Sequence, residues 1–152
     1  MYFAGMHRVS LSDFPGHVAA IAFTQGCNLR CPYCHNPHLL RQSKTAAAAG
    51  ISTAEPRAAA DSAATKTTTA TNGATTEPAA AALSVDELLA YLQARQGRLT
   101  GLVVTGGEPT MHCGLPTVLQ RVKELGYAIK LDTNGSRPEV LEQLLASELV
   151  DY

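Results

Sequence analysis

Leu102-Val103-Val104-Thr105-Gly106-Gly107-Glu108-Pro109 decides the fold. An apolar run of this length, closed by paired glycines, reads as a strand buried on both faces that ends in a tight loop. Upstream, Ser84-Val85-Asp86-Glu87 has the form of a helix capping box, with Val85, Leu88, Leu89 and Leu92 at i, i+3, i+4 and i+7. Downstream, Pro116 suits the first turn of a second helix, Val118, Leu119, Val122 and Leu125 keep the helical period, and Gly126 suits the C′ position. Residues 127–131 read as the next strand, ending in Asp132-Thr133-Asn134-Gly135. Ser136 with Glu139 predicts another capping box, ahead of a helix carrying Val140, Leu141, Leu144 and Leu145. Leu149-Val150-Asp151-Tyr152 reads as the opening of a further strand. Back toward the N-terminus, Val18-Ala19-Ala20-Ile21-Ala22-Phe23 is the first strand of this series, and Cys27-Asn28-Leu29-Arg30-Cys31-Pro32-Tyr33-Cys34 follows it.

Strands alternating with helices through short connections specify an α/β fold with a parallel sheet. In such folds ligands bind in the loops at the carboxyl ends of the strands. The cysteine loop, the Gly-Gly-Glu-Pro loop and the Asp-Thr-Asn-Gly loop all fall at that position. Alone, a glycine pair is what any tight strand-to-helix turn favours, and Asp132 to Gly135 reads as a plain turn. Their shared place on one face makes them a candidate site. Asp13-Phe14-Pro15-Gly16 reads as a turn leading into the first strand.

The chain has 152 residues, the size of one ordinary domain, and a formal net charge of −1. No basic run is present, so no nucleic-acid partner is expected. No stretch reaches membrane-spanning length and the first eight residues lack the apolar core of a signal peptide, so the reading is cytoplasmic, with no membrane partner. The charged fraction, 16%, falls below the ~25% usual for globular domains, and residues 43–82 stand apart in composition. That tract is dominated by Ala and Thr and lacks Leu, Val, Phe and Tyr, so it is expected to be a disordered, functionally passive insertion, with transient helix as the competing reading. Residues 1–42 and 83–152 would then form one α/β domain.

In a reducing compartment, clustered cysteines read as metal ligands rather than disulfides. Three thiolates on a four-iron cubane leave one iron without a protein ligand, whereas clusters that only carry electrons are normally closed by four cysteines. An open iron can bind a substrate. A structural zinc site, with His35 or His38 as fourth ligand, is the alternative. Cys31-Pro32-Tyr33-Cys34-His35 also fits the c-type haem pattern, but that reading leaves Cys27 unexplained. Cys113 has no partner by spacing, and it reads with Met111 and His112 as a buried or incidental surface residue.

Taken together, Cys27-x-x-x-Cys31-x-x-Cys34 and Gly106-Gly107-Glu108-Pro109 resemble the radical S-adenosylmethionine (SAM) superfamily. Asp13-Phe14-Pro15-Gly16, Phe23-Thr24-Gln25-Gly26-Cys27, Cys34-His35-Asn36-Pro37 and Asp132-Thr133-Asn134-Gly135 resemble, more narrowly, the activating enzymes of glycyl-radical proteins, and most nearly those of anaerobic ribonucleoside-triphosphate reductase. The resemblance implies the N-terminal part of a partial (β/α)6 barrel, ending here after about four strands. It implies a 4Fe–4S cluster on Cys27, Cys31 and Cys34, with SAM chelating the open iron. SAM would lie against Tyr33, Gly106, Gly107, Glu108, Pro109, Asp132, Thr133 and Asn134, with a monovalent-cation site at Asp132 and Thr133. The implied chemistry is reductive cleavage of SAM to a 5′-deoxyadenosyl radical, which makes a glycyl radical on a partner enzyme. Anaerobic ribonucleotide reductase is the implied partner, and a flavodoxin-like or ferredoxin-like protein the reductant. The alternative is a non-catalytic zinc or iron–sulfur domain.

Overall fold

The computed structural model describes residues 1–40 and 82–152. The Ala/Thr-rich tract expected at 43–82 lies, apart from Ala82, outside the described residues. Five strands, β1 (Tyr2–Ser10), β2 (Ala19–Thr24), β3 (Leu83–Ser84), β4 (Gly101–Gly106) and β5 (Ala128–Leu131), form one sheet in the spatial order β3-β1-β2-β4-β5. Three helices, α1 (Val85–Gln93), α2 (Leu115–Glu124) and α3 (Pro138–Ala146), complete the α/β fold. Among the described residues no helix is long and apolar enough to cross a membrane.

β2, β4 and β5 run parallel, as the sequence pattern requires, with Thr24 opposite Gly106 and Val104 opposite Leu131. Their carboxyl ends therefore open onto one edge, where all three candidate loops emerge. β1 and β3 are additions to the expected series: β1 lies antiparallel to β2, and β3 antiparallel to β1, so the sheet is mixed. β1 gives no clean two-residue alternation, because its register slips between Phe3 and Gly5 and again between His7 and Ser10, and only Phe3 is fully buried.

The parallel strands are buried on both faces, but the two faces are covered differently. Ala20, Ala22, Leu102, Val104 and Ile129 share one core with Leu88 and Leu92 of α1, Leu119 and Val122 of α2 and Leu144 of α3. The alternate residues Ala19, Ile21 and Val103 meet Phe14 in a second, smaller cluster on the other face. The turn at residues 13–16 thus does more than lead into β2: it seats a ring that is 3% exposed on the face the helices leave bare.

The local helix signals are mostly obeyed. α1 has the full capping box, in which Ser84 accepts from the Glu87 N–H and the Glu87 carboxylate accepts from the Ser84 N–H; that N–H, with the Ser84 hydroxyl, which also donates to the carboxylate, lowers the Glu87 pKa. Gly126 follows α2 with φ +84°, the left-handed conformation expected at C′. The capping box predicted at Ser136 and Glu139 does not form. Helix α3 starts at Pro138 with Arg137 as N-cap and no side-chain cap bond, which leaves Ser136 one residue too early to cap. Residues 149–152 are not assigned as a strand, yet Asp151 and Tyr152 N–H both donate to Ile129 O (2.8 and 3.3 Å) and Leu131 N–H donates to Tyr152 O (3.0 Å), so the segment runs along the free edge of β5.

Candidate functional site

The loop after β4 is built by close backbone approach. Gly106 has φ +113°, and a Cβ there would stand 2.5 Å from the Thr24 backbone; a Cβ on Gly107 would stand 2.0 Å from the Gly26 carbonyl oxygen. Both positions therefore require glycine. The approach lets Gly107 N–H donate to Thr24 O at 2.9 Å and Glu108 N–H to Gly26 O at 2.8 Å. The Gly-Gly-Glu-Pro loop is thereby laid directly on the residues that lead into the cysteines. Pro109 then opens a short 3-10 turn, Pro109–Met111, in which Pro109 and Thr110 are buried.

Glu108 is fully buried. Its Oε1 accepts from Thr110 N–H at 3.1 Å, Thr110 Oγ1 at 2.5 Å and Thr133 Oγ1 at 2.7 Å, and its Oε2 accepts from Asn134 N–H at 2.7 Å. One carboxylate thus joins the loop after β4 to the loop after β5. From there the Asn134 side-chain amide donates to Asn28 Oδ1 at 3.0 Å and toward Cys27 Sγ at 3.7 Å, while Asn28 Nδ2 donates to Ser136 Oγ at 2.7 Å. The cysteine loop and the β5 loop are joined in turn. The two residues that the resemblance gives to a monovalent cation are engaged within the protein, Asp132 by an ion pair with Lys130 and Thr133 by its bond to Glu108.

The cysteine loop itself is tied chiefly at its neck, where Gly26 N–H donates to Leu39 O at 2.7 Å and Leu39 is buried. Inside it, Leu29 N–H points at Cys27 Sγ (3.4 Å), Cys34 N–H donates to Cys31 O (3.2 Å), and Arg30 Nη1 donates to the Cys27 and Leu29 carbonyls (2.6 and 2.8 Å). Cys27, Cys31 and Cys34 are half-buried and outside any disulfide, whereas Cys113 is exposed. Tyr33, 81% exposed, projects from the loop, and His35 and His38 are exposed. The three thiols are the residues that could hold a soft metal. Among the described residues they are not gathered into a group of three or more metal-ligating side chains.

Sequence reasoning missed three residues that build this edge. Asn28 lies between the cysteines and the β5 loop, and Ser136 receives its amide, a role no local motif announces. His112, expected to be buried or incidental, is 9% exposed and places Nε2 3.0 Å from the Gln25 carbonyl, a contact no local motif announced, bracing the root of the cysteine loop from the 3-10 turn. Burial pushes its pKa below the ordinary 6.5, against the opposing effect of that bond. A cleft of ≈ 510 Å³ beside it is lined by Asn28, Thr110, His112, Cys113 and Arg137 among others.

Comparison with known proteins bears on this edge as a whole. The family model of the radical SAM superfamily matches residues 21–152. A candidate glycyl-radical enzyme activating enzyme of Methanocaldococcus jannaschii is 30% identical over 98% of this chain and 47% of its own length. A 7-carboxy-7-deazaguanine synthase of Halobacterium salinarum is 28% identical over 74% of this chain and 30% of its own. A pyruvate formate-lyase-activating enzyme of Staphylococcus aureus is 28% identical over 81% of this chain and 37% of its own. Among solved structures, QueE from Escherichia coli shares the fold, with a TM-score of 0.57 at 21% identity over 89% of this chain and 52% of that one. The chain spans about half, or less, of the length of these relatives.

Proposed function

We propose that this chain, which belongs to the radical SAM superfamily, carries the cluster- and SAM-binding part of a glycyl-radical enzyme activating enzyme. The observation that carries the reading is the joining of the loops after β2, β4 and β5 into one constellation at the carboxyl edge of a parallel sheet, through Gly107, Glu108 and Asn134. The relative from Methanocaldococcus jannaschii, similar along nearly the whole chain, supports the activating-enzyme class.

The donor set fits an open cubane. Cys27, Cys31 and Cys34 are soft ligands outside any disulfide on one short loop, and amide N–H groups of Leu29 and Asn134 face the Cys27 sulfur, where they would offset thiolate charge. Held by Cys27, Cys31 and Cys34, a reduced cluster would supply the electron for reductive cleavage of SAM, the source of the hydrogen-abstracting power an activating enzyme needs. The chain's own residues position that chemistry. Gly106 and Gly107 let the loop lie directly on the Thr24 and Gly26 backbone, which sets the surface against which the methionine part would lie, and Glu108 and Pro109 hold this loop down by their burial. Asp132, Thr133 and Asn134 border the same space from β5, and Tyr33 offers an amphipathic ring to the adenine. Anaerobic ribonucleotide reductase is the proposed partner, with a flavodoxin-like or ferredoxin-like reductant in a reducing cytoplasm.

A second reading is favoured by the 7-carboxy-7-deazaguanine synthases among the relatives: a radical SAM enzyme that makes such a small heterocycle. Anaerobic reconstitution of the full chain, followed by dithionite and SAM, is expected to give 5′-deoxyadenosine. About four irons per chain with no 5′-deoxyadenosine would overturn the catalytic reading and leave a metal-binding domain. A glycyl-radical signal on added anaerobic reductase separates the activating enzyme from the synthase.

A further inference from the structure

We infer that Glu108 is a positioning residue: its carboxylate is consumed inside the protein, holding the β5 loop where the Asn134 amide meets the Cys27 sulfur, and does not itself hold a ligand. An ionised carboxylate offers about four acceptor positions. Four donors already engage it, three crowded on Oε1 and one on Oε2, and the side chain is fully buried. A ligand's ammonium group could reach this carboxylate only if the loops that cover it moved aside. The donors are neutral N–H and O–H groups from two loops, an arrangement in which each bond is charge-assisted and each lost bond leaves a buried polar group unpaired.

The same residue also reaches the third loop. Its backbone N–H is bonded to Gly26 O, next to Cys27, while its side chain fixes Asn134 N–H. With both ends held, the Asn134 side chain sits 3.7 Å from Cys27 Sγ and 3.0 Å from Asn28 Oδ1. Hydrogen bonds to cluster sulfurs are among the determinants of reduction potential, because they stabilise the more negative, reduced state. The clamp rests on the hydrogen bonds alone; the effect on potential rests on the proposed reading of Cys27 as a cluster ligand.

Glu108→Gln tests the clamp because the amide cannot satisfy the site in either orientation. With its oxygen toward Thr110, its NH2 faces the Asn134 N–H; flipped, its NH2 faces the Thr110 N–H. Hydrogen exchange of the metal-free full chain is expected to speed up in Glu108→Gln by about tenfold or more in residues 24–29 and 132–137, far apart in sequence. Thr133→Val should reproduce part of this, and Thr133→Ser, which keeps the hydroxyl, should restore wild-type exchange. Unchanged exchange in Glu108→Gln, combined with weakened SAM binding by the reconstituted protein, would overturn the inference in favour of a direct ligand contact. Should Glu108→Gln fail to fold, Asn134→Ala keeps the backbone bond to Glu108 and removes the side-chain amide, which donates to Asn28 and Cys27 and accepts from the Ser136 N–H. Its cluster is expected to keep its iron and to become harder to reduce, with the ratio of reduced to oxidised cluster at a fixed potential falling roughly three- to tenfold. An unmoved potential would overturn the link to Cys27. A wild-type chain that takes up no iron would sink the functional reading, while the exchange experiment would still decide the clamp.

Discussion

The loops after β2 and β4 lie against each other at the same edge of the sheet, yet they are held in opposite ways. The β4 loop is fixed by two glycines pressed on the neighbouring backbone and by a buried carboxylate with four donors. The cysteine loop is fastened at its neck, keeps its thiols half-buried and draws on few internal hydrogen bonds. The difference separates two kinds of preparation. The first loop is finished by protein contacts alone and can present a rigid surface to a ligand. The second keeps its thiols outside any disulfide and half-buried, where a metal would add contacts of its own.

The sharpest way to break this comparison is to remove a thiol. Cys31→Ala is expected to abolish cluster binding, with iron after anaerobic reconstitution falling from about four per chain to nearly none, while the far-UV spectrum of the metal-free chain stays unchanged because the loop contributes little to the core. Cys113→Ala, on the exposed residue beyond the 3-10 turn, should keep its iron. Equal loss in both would show that the ligands are wrongly chosen.

Gly107→Ala attacks the other side of the comparison. Its Cβ would stand 2.0 Å from Gly26 O, a backbone atom that cannot swing away, and the 2.8 Å bond from Glu108 N–H to that oxygen must open. The metal-free chain is expected to lose about 3 kcal/mol, the upper end for forced overpacking, read as a lower urea midpoint. Retention of wild-type stability would mean that the β4 loop is as adaptable as the cysteine loop, and the contrast would fall.

Much of this edge was legible in the sequence because its signals are local. The runs at 18–23 and 102–104 are buried on both faces, the i, i+3, i+4 spacing gave α1 and α2 their apolar stripes, and Gly106-Gly107 marked a close approach. What escaped depends on partners distant in sequence. β1 is paired through a slipped register, Ser136 accepts from Asn28 across 108 positions instead of capping α3, and Phe14 covers a sheet face that no periodicity reveals. The candidate ligands could be named from spacing, but the internal hydrogen bonding of Glu108 could not. A carboxylate in a candidate ligand loop reads the same on paper whether it faces a ligand or its own protein.

The smallest expected effect lies where the rigid and the adaptable loops meet, at His112. Its imidazole braces Gln25 O, and burial, the leading cause, together with the N-terminal ammonium, lowers its pKa from 6.5, against the raising effects of the Gln25 bond and Glu108. The unfolded chain, whose histidine titrates near 6.5, therefore takes up a proton before the folded chain does. Stability should fall as pH drops below about 6.5 and cease to change from this source once pH passes the lower folded value. His112→Gln keeps a donor for the Gln25 carbonyl but cannot titrate, so its urea midpoint should decline less over the same pH range, the difference between the two curves cancelling the carboxylates they share. Parallel curves would show that the brace carries no titrating load, and that the root of the cysteine loop is held by the backbone bond between Gly26 and Leu39 instead.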